Sequence, residues 1–202
     1  MHEYFRYALF VLFTILLIGN SVLSFIGTNF IDLSLSLQCV QGNSPRSFSF
    51  MIQTSFISYS VTAGYSILST GGANYFFKIV LCDSGQLIFR WQTAGVNYLW
   101  GCVGKILNDG LFHTVLVTFD GTTLTLYEDG IFKSSTIASL ISTTGNNYNY
   151  LGKAISSLNF IGILKNVMFY DYMITNSYAL ANSYLSAGGT LYDSGIFNKS
   201  YL

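Results

Sequence analysis

Charge is scarce in this chain of 202 residues: nine lysines and arginines balance nine aspartates and glutamates, so the formal net charge is zero. No run of lysine or arginine occurs, and a nucleic-acid partner is therefore not expected. Pro45 is the single proline, so little interrupts regular structure. Solubility must come from serine, threonine, asparagine and tyrosine, and such a surface favours contact with other surfaces, including copies of itself.

Residues that catalyse hydrolysis are equally scarce. A retaining polysaccharide hydrolase needs two carboxylates about 5 to 5.5 Å apart, and no strand-like segment presents two of them two or four residues apart. Glu128 and His113 are the only glutamate and histidine beyond the N-terminal segment, and no G-x-S-x-G elbow occurs. A histidine in mid-strand is typical of a packed residue. The sequence predicts a protein that is not an enzyme, with an aspartate pair assembled from distant loops as the remote alternative.

Only three cysteines occur, Cys39, Cys82 and Cys102, and without a C-x-x-C motif they argue against a zinc site. In an oxidising compartment one disulfide is expected, and three pairings are open. We favour Cys82–Cys102, because these residues bracket two short strand-like segments. The remaining thiol is then either buried and inert or bridged to another chain.

One long apolar run is present, at the N-terminus. Tyr7–Ile18 is apolar apart from Thr14, and small residues follow it around a cleavage point after Ser24. This layout is typical of a secretory signal peptide, to which we assign residues 1–24. The alternative is an uncleaved anchor, because Tyr7–Gly27 is long enough to cross a bilayer. In both cases the remainder is exported, which predicts an extracellular protein with membrane contact only through an uncleaved leader.

Alternation of apolar and polar residues dominates residues 25–189 and is typical of β-strands. The strand-like segments are Ser47–Gln53, Tyr75–Leu81, Gln86–Trp91, Leu111–Phe119, Thr122–Tyr127, Tyr148–Gly152 and Phe160–Tyr170. Only Thr175–Leu185 has helical spacing. Many strands and one short C-terminal helix predict an all-β fold of two layers, because half-buried faces need a second sheet. Residues 190–202 form a strand-like tail, which is either a further hairpin or a strand added to a neighbouring molecule.

Three Asp-Gly pairs lie between Asp109 and Gly130. Asp120-Gly121 and Asp129-Gly130 separate consecutive alternating segments, where a tight antiparallel turn needs positive φ. Glycine tolerates positive φ, and aspartate hydrogen-bonds nearby backbone. We therefore expect these carboxylates to cap turns.

One stretch carries most of the family resemblance described next, Asp109 to Gly130 (DGLFHTVLVTFDGTTLTLYEDG). It contains, in order, Asp-Gly, an aromatic residue, a histidine, a valine-rich strand, Asp-Gly-Thr and Leu-Tyr-x-Asp-Gly. Phe160–Asp171 adds a Phe-x-Gly strand with a Val-x-x-Tyr end. In this order the segments resemble the laminin-G/pentraxin-like group of the concanavalin A-like lectin/glucanase superfamily. The resemblance covers about Leu33–Ala187 and implies an antiparallel jelly-roll β-sandwich.

The resemblance also implies a function in binding. Members of this group mostly bind glycans, cell-surface proteins or each other, often with a calcium ion at the rim of the sheets. The weak calcium candidates implied here are Asp129, Asn146 and Asp171. Asn166 stands where the family often has an acidic residue, and fewer charges mean weaker calcium binding.

Aromatic side chains next to amides and hydroxyls make suitable platforms for sugars. The ligand-binding candidates are Tyr98, Trp100, Tyr148, Tyr150 and Asn147. Trp91 alternates with Phe89 and Leu87, so we assign it to the core; Trp100 is left open between the core and a stacking role.

Two functions remain. The first is a secreted adhesion module that recognises a glycan or a cell-surface or matrix protein at its loop rim. The second is a self-assembling structural subunit of an extracellular filament, coat or matrix, which the low charge, the odd cysteine and the strand-like tail favour. Asn198 begins the only N-x-S/T sequon and is a candidate glycosylation site.

Overall fold

The computed structural model describes residues 22–33, 42–56, 64–138, 141–145, 148–154 and 158–175. In chain order its strands are β1 (Val22–Ile26), β2 (Ile31–Asp32), β3 (Arg46–Gln53), β4 (Tyr65–Gly72), β5 (Tyr75–Leu81), β6 (Leu87–Thr93), β7 (Val96–Val103), β8 (His113–Phe119), β9 (Thr123–Glu128), β10 (Ile131–Ile137), β11 (Tyr150–Leu151), β12 (Leu158–Asn159) and β13 (Ile161–Tyr170). Nothing in the described ranges is a helix of the length and apolarity needed to cross a membrane.

The strands form two sheets. Sheet 1 has the order β1-β13-β3-β8-β9-β10, and its neighbouring strands are all antiparallel. Sheet 2 has the order β2-β11-β4-β5-β6-β7, also antiparallel, while β12 lies beside β4 in parallel. The prediction of an all-β sandwich with antiparallel sheets is confirmed.

The inner faces of the two sheets share one hydrophobic core. Phe48 on β3 stacks on Phe77 on β5, with ring centroids 5.7 Å apart, and this contact joins the sheets. Trp91 is buried in the same core, which confirms its assignment from the sequence. Successive residues of a strand point to opposite faces. Residues that alternate with the core positions of sheet 2 therefore lie on its outer face.

The Asp-Gly pairs lie at turns, as predicted. Asp129 and Gly130 connect β9 to β10 and both have positive φ, 49° and 75°, as a two-residue type I′ turn requires. Asp120 uses its Oδ1 atom to accept the backbone N–H groups of Thr122 at 2.7 Å and Thr123 at 2.6 Å. The Asp120 carboxylate thus caps its own turn, as predicted, whereas the Asp129 carboxylate accepts the backbone N–H of Thr114 on the neighbouring strand β8.

The N-terminal edge of sheet 1 reaches into the predicted leader. β1 begins at Val22 and pairs with β13, so Val22 to Ser24 are part of the sandwich. Residues 1–21 lie outside the described residues, and the assignment of residues 1–24 to a leader stays a prediction. From residue 176 onward the predicted helix, the tail and Asn198 also lie outside the described residues.

Candidate functional site

The outer face of sheet 2 carries two rows of side chains that run across β4, β5, β6 and β7. The first row is Gly71, Phe76, Gln92 and Asn97. The second row is Ser69, Lys78, Arg90 and Leu99. The first row presents an aromatic ring and two amides, and the second presents two cations. These groups share one face because each is one residue away from a core position on its strand.

A cavity of about 650 Å³ lies over these two rows. Its volume is in the range typical of small-molecule sites. Residues from both rows and from adjoining segments line it: Ser69, Ala73, Asn74, Phe76, Lys78, Arg90, Gln92, Asn97, Tyr98, Leu99, Tyr148 and Ala154. The lining combines aromatic surface, amides and positive charge.

The segment that contains Tyr148 forms one wall, and hydrogen bonds to β4 fix its position. Ser69 donates its hydroxyl to the carbonyl oxygens of Tyr148 at 2.7 Å and Lys153 at 3.0 Å. The backbone N–H of Tyr148 donates to the Gly71 carbonyl at 3.0 Å. The Gly71 N–H donates in turn to Oδ1 of Asn149 at 2.8 Å. Backbone pairing thus places the Tyr148 segment beside the rows of the sheet.

The β4–β5 turn, Ala73 and Asn74, lines one end of the cavity, and the β6–β7 turn lies against it. Ala94 and Gly95, between β6 and β7, have φ values of 50° and 82°, as expected for a two-residue hairpin turn. The Gly95 N–H donates to the carbonyl of Asn74 in the β4–β5 turn at 3.4 Å. Beside these turns, Nε2 of Gln92 donates to Oδ1 of Asn97 at 3.1 Å. The two amides therefore have defined orientations next to the opening.

Lys78 and Arg90 dominate the electrostatics of the cavity. They are direct cross-strand partners on β5 and β6. Lys78 is 6% exposed, and burial followed by the positive charge of Arg90 lowers its pKa to about 8. None of the described residues that line the cavity is acidic. The cavity is therefore a positively charged environment.

Two of the candidate residues on β7 have their rings on the core side of sheet 2. Tyr98 borders the cavity, but its ring stacks on Trp91 with centroids 5.6 Å apart and planes at 5°. Trp100 stacks on Phe89 with centroids 5.0 Å apart. Both rings extend the core towards the sheet edge, and the outward positions of β7 belong to Asn97 and Leu99.

The structure places the remaining aromatic candidates in one segment beside β4, where Tyr150 is the cross-strand partner of Ser69 and lies on the outer face at the end of the second row. Tyr148 lines the cavity. Tyr150, in β11, contacts Phe30 edge to face at 5.3 Å. The ammonium of Lys153 lies 4.0 Å from the Phe30 ring centroid and 5.2 Å from that of Tyr150. Tyr150 thus packs with Phe30 and Lys153 at the end of the second row and is not among the residues that line the cavity. Asn147 lies outside the described residues.

The sequence reasoning did not single out the polar centre of the cavity. Lys78 and Arg90 each interrupt an apolar strand, in YFFKIVL and QLIFRW. A single cation in an otherwise apolar strand indicates a side chain on the outer face of the sheet. Its partner becomes visible only when the register of β5 and β6 is known, because a shift of one residue would place the two cations on opposite faces.

A second polar cluster surrounds His113 at the start of β8. Its Nε2 atom lies 2.9 Å from Oδ1 of Asp109, and its Nδ1 atom lies 3.1 Å from Oδ2 of Asp129. Asp129 also accepts hydrogen bonds from Nζ of Lys105 at 2.7 Å and from the backbone N–H of Thr114 at 2.9 Å. Burial alone would raise the pKa of Asp129, but these hydrogen bonds outweigh it and hold the pKa below its ordinary value. His113 is a packed residue, as predicted, with both nitrogens in contact with carboxylates.

Glu128, the neighbour of Asp129, is fully buried. Its Oε2 atom accepts the backbone N–H of Lys105 at 2.7 Å, while Oε1 has no hydrogen-bond partner within the described part of the chain. Burial raises the pKa of Glu128 above its ordinary value. This carboxylate contacts the 104–105 turn and is not among the residues that line the cavity.

The predicted calcium ligands do not come together around one point in the described ranges. Asp129 is engaged by Lys105, an ammonium that competes with a cation for the same Oδ2 atom. Asp171 is exposed, and Asn146 lies outside the described residues. Asp129 therefore fits the His113 cluster better than a metal site, and calcium binding stays a prediction.

Cys82 and Cys102 approach one another on the outer face of sheet 2. Together with Asp83 they offer ligand atoms that lie within 4.8 Å of each other, the one such group among the described histidine, cysteine, aspartate and glutamate residues. Both thiols are free, and Cys82 also contacts the Ser84 hydroxyl at 2.9 Å. Burial, followed by the neighbouring Cys82, raises the pKa of Cys102 to about 11. The proximity suits the favoured Cys82–Cys102 pairing, which stays a prediction.

Comparison with known families gives one match. A family model described as "Concanavalin A-like lectin/glucanases superfamily" matches residues 31–177, most of the chain. The matched span includes every strand except β1. No curated protein sequence matches the chain significantly.

Solved structures of similar fold are numerous. The carbohydrate-binding module CBM40 of the Ruminococcus gnavus IT-sialidase, bound to α2,3-sialyllactose, has a TM-score of 0.66 and 17% identity, covering 81% of this chain and 96% of the module. Domain 4 of the arabinanase AbnA from Geobacillus stearothermophilus, in complex with arabinotriose, has a TM-score of 0.55 and 15% identity, with 81% and 87% covered. The binding domain of Paraclostridial Mosquitocidal Protein 1 has a TM-score of 0.58 and 16% identity, with 81% and 47% covered.

Proposed function

The chain belongs to the concanavalin A-like lectin/glucanase superfamily, and on that premise we propose that it is a carbohydrate-binding module with its glycan in the cavity on the outer face of sheet 2. The observation that carries the proposal is the composition of that cavity. It offers the Phe76 ring beside the amides of Gln92 and Asn97, on a rigid four-stranded surface. A sugar has an apolar face and a polar edge, and it needs this combination in its site.

The sheet surface is suited to a binding role because its polar groups are already oriented. The Gln92–Asn97 hydrogen bond and the contact between the Asn74 and Gly95 turns fix the amides before any ligand arrives. Side chains that are fixed in advance lose little conformational entropy on binding. The Tyr148 segment, fixed by Ser69, adds a wall at the side of the bound sugar.

Similar proteins support a glycan as the ligand. Two of the similar structures above are complexes with a sugar, sialyllactose in one and arabinotriose in the other. The third is the binding domain of a mosquitocidal protein. Sequence identity to each is too low to transfer a particular sugar, and the choice of ligand rests on this chain's own cavity.

The module is proposed to bind without catalysis. Hydrolysis of a glycosidic bond needs two carboxylates on either side of it, and the described residues that line the cavity include none. Glu128 and Asp129 are adjacent in sequence, but one is buried against the Lys105 backbone and the other is engaged by His113. Neither carboxylate is directed at a sugar in the cavity.

We also propose that the protein is exported. The apolar segment Tyr7–Ile18 and its small-residue flank support export, although they lie outside the described residues. Glycans of surfaces and matrices are then available as partners. The expected observation is cleaved protein in the medium, with the intact mass of a chain whose first residue is near Phe25. Retention of the full-length chain in the membrane fraction would contradict cleavage.

A second candidate function, self-assembly, is favoured by one observation on sheet 1. β10 is the last strand of that sheet within the described residues, and it carries three exposed apolar side chains, Ile131, Phe132 and Ile137. β10 also carries Lys133 and an irregularity between Phe132 and Ser134, which both blunt an edge strand, so it is the exposed apolar side chains that favour association with another chain. Light scattering tests this candidate: Ile137→Lys should convert an oligomer to a monomer, and a wild-type monomer at high concentration removes the candidate.

A glycan array tests the principal proposal. The wild-type protein should be retained on a defined set of glycans, and the double variant Gln92→Ala/Asn97→Ala should lose at least about tenfold in affinity, as expected from removing the groups that orient a sugar. Thr125→Ala, on the outer face of sheet 1, is the matched control and should bind as the wild type does. The proposal would be contradicted if the wild type binds no glycan, or if the wild type and the Gln92→Ala/Asn97→Ala variant are retained equally.

A further inference from the structure

Two like charges face one another in the centre of the cavity. Lys78 and Arg90 are directly opposite on β5 and β6, and both line the cavity. Like charges at directly opposite positions of an antiparallel pair destabilise the sheet. Lys78 is also almost entirely buried, and burial of a charge carries a further cost. A feature that opposes folding in two ways is typical of a functional site.

The surroundings of this pair suit an anion. The ammonium of Lys78 lies 5.7 Å from the centroid of the Phe76 ring, at the junction of the two rows. The side-chain amide of Gln92, two residues beyond Arg90 on β6, donates from Nε2 to the Gly95 carbonyl at 3.3 Å and to Oδ1 of Asn97 at 3.1 Å, so the attraction for an anion comes from the two cations. No acidic residue is among the described residues that line the cavity. An acidic group placed here meets two cations and no carboxylate among the described residues that line the cavity.

We infer that the cavity selects glycans that carry an acidic group, a carboxylate or a sulfate, and holds that group between Lys78 and Arg90. The inference rests on the proposed function and specifies its ligand class. Arg90 has the planar, forked donor geometry that matches either group in a bidentate manner. Lys78 supplies a compact second charge, and the sugar ring extends from this anchor towards Phe76.

Affinity for such a glycan depends on pH because Lys78 must be protonated to bind it. Burial and Arg90 lower the pKa of Lys78 to about 8. Below that pH the ammonium is present, and above it the neutral amine attracts no anion, so affinity falls as the pH rises through this range. The other charged or titratable groups that face Lys78 across the described part of the cavity are Arg90 on β6 and Tyr148 before β11, because the Tyr98 ring lies on the core side; Ser69 on β4 is neutral.

The decisive experiment is an array on which each acidic glycan is printed beside its neutral counterpart: sialyllactose and sulfated lactose beside lactose, and oligogalacturonate beside its methyl ester. The wild-type protein should prefer the acidic member of its pair by about tenfold or more at about pH 6, and the preference should shrink at about pH 9. Comparison of the carboxylated with the sulfated probes identifies which acid the cavity takes.

Variants at Lys78 and Arg90 locate the effect. Lys78→Met and Arg90→Met should each remove most of the preference for acidic glycans, and Lys78→Arg should retain it at about pH 9, where the wild type loses it. Thermal melting confirms that each variant is folded.

The outcomes separate the two proposals. Equal binding of acidic and neutral glycans, with binding still lost in Gln92→Ala/Asn97→Ala, overturns the selection of acidic glycans and leaves the carbohydrate-binding module intact. An acidic preference that survives both Lys78→Met and Arg90→Met overturns the assignment of the anchor. Absence of binding to every glycan overturns both proposals.

Discussion

Lys78 and Arg90 lie directly opposite one another on β5 and β6, with both side chains on the cavity side of sheet 2. The residues on either side of Lys78 along β5, Phe77 and Ile79, point to the core instead. They and their cross-strand partners on β6 are buried. A sheet surface of this kind would be more stable with apolar or uncharged residues at positions 78 and 90. The proposed binding role gives a reason for a charge pair that works against the stability of the sheet.

Lys78→Met should stabilise the protein at neutral pH while it weakens binding. The folded protein disfavours the Lys78 ammonium, since its pKa is lowered to about 8, so the cost is present in full below that value and disappears as the pH rises towards the ordinary lysine pKa. We expect a gain of about 1–3 kcal/mol in the free energy of unfolding at neutral pH. Denaturant unfolding at about pH 7 and about pH 10 measures it.

The pH dependence distinguishes this effect from simple packing. The stability of the wild type should rise between about pH 8 and about pH 10.5 relative to the variant. In this range the buried Lys78 ammonium of the wild type loses its proton, and the cost of burying its charge disappears. Lys165→Met, on the other sheet, serves as the control for the loss of one lysine away from the cavity and should not reproduce the gain in stability. A wild-type protein more stable than Lys78→Met at neutral pH would contradict the account.

Glu128→Gln should also stabilise the protein at neutral pH. Burial raises the pKa of Glu128, so the folded state prefers the protonated form. This contribution is favourable at low pH and is lost as the pH rises through the folded pKa. Glutamine keeps an oxygen for the Lys105 N–H and removes the buried charge. We expect a gain of about 1 kcal/mol, the scale of desolvating one acceptor.

A series of melting curves checks the Glu128 prediction. The difference between Glu128→Gln and the wild type should be largest near neutral pH and should shrink as the pH falls towards the ordinary glutamate pKa. A difference that is constant with pH would mean that shape rather than charge is responsible.

Asp129→Asn should destabilise the protein by about 1–3 kcal/mol, the scale for losing charge-assisted hydrogen bonds. The Asp129 carboxylate accepts hydrogen bonds from Lys105 and Thr114 and contacts His113. Asparagine tolerates the positive φ of this turn position, so the change isolates the charge. Because the pKa of Asp129 is lowered, its contribution is present above the ordinary aspartate pKa and is lost as the pH falls through the folded value.

Acid unfolding measures this contribution. The wild type should lose stability at low pH faster than Asp129→Asn, until the two unfold alike once the carboxylate is protonated. Ser135→Ala, on the neighbouring strand β10, is the control for a change without charge. Equal stability of Asp129→Asn and the wild type at neutral pH would show that the His113 cluster does not support the fold.

Oxidation should join Cys82 to Cys102. Their thiols belong to one group with ligand atoms within 4.8 Å, and a cross-link that closes a loop of this length is worth about 3 kcal/mol. Peptide mapping without reduction should identify the linked pair, and a reductant should lower the melting temperature. Cys39→Ser should keep the bond, whereas Cys102→Ser should remove it; a bond from Cys39 to either residue would refute the pairing.

The alternation of apolar and polar residues was sufficient to predict much of the fold. It placed β5 at Tyr75–Leu81 with both boundaries correct, and it placed β3, β6, β8, β9 and β13 within two residues at each end. Alternation predicts such strands well because one face of each is buried in the shared core while the other is not. The Asp-Gly pairs fixed the turns around β9 for a reason that is local to the chain, the need for positive φ.

Other elements depend on tertiary contacts and could not be read from the chain. β7 has no clear alternation, and the rings of Tyr98 and Trp100 lie on its core side because Trp91 and Phe89 stack on them. β1 resembled part of the leader because its residues are apolar, and its strand character comes from pairing with β13. The cavity escaped prediction because its two rows form only when four strands align in register.

A crystal structure of the protein with its best-bound glycan tests the central claim most directly. The account predicts sugar density on the outer face of sheet 2, with a ring against Phe76, hydroxyls at Gln92 and Asn97, and an acidic group between Lys78 and Arg90. Density elsewhere, such as at the Phe30–Tyr150 cluster or on sheet 1, would contradict it.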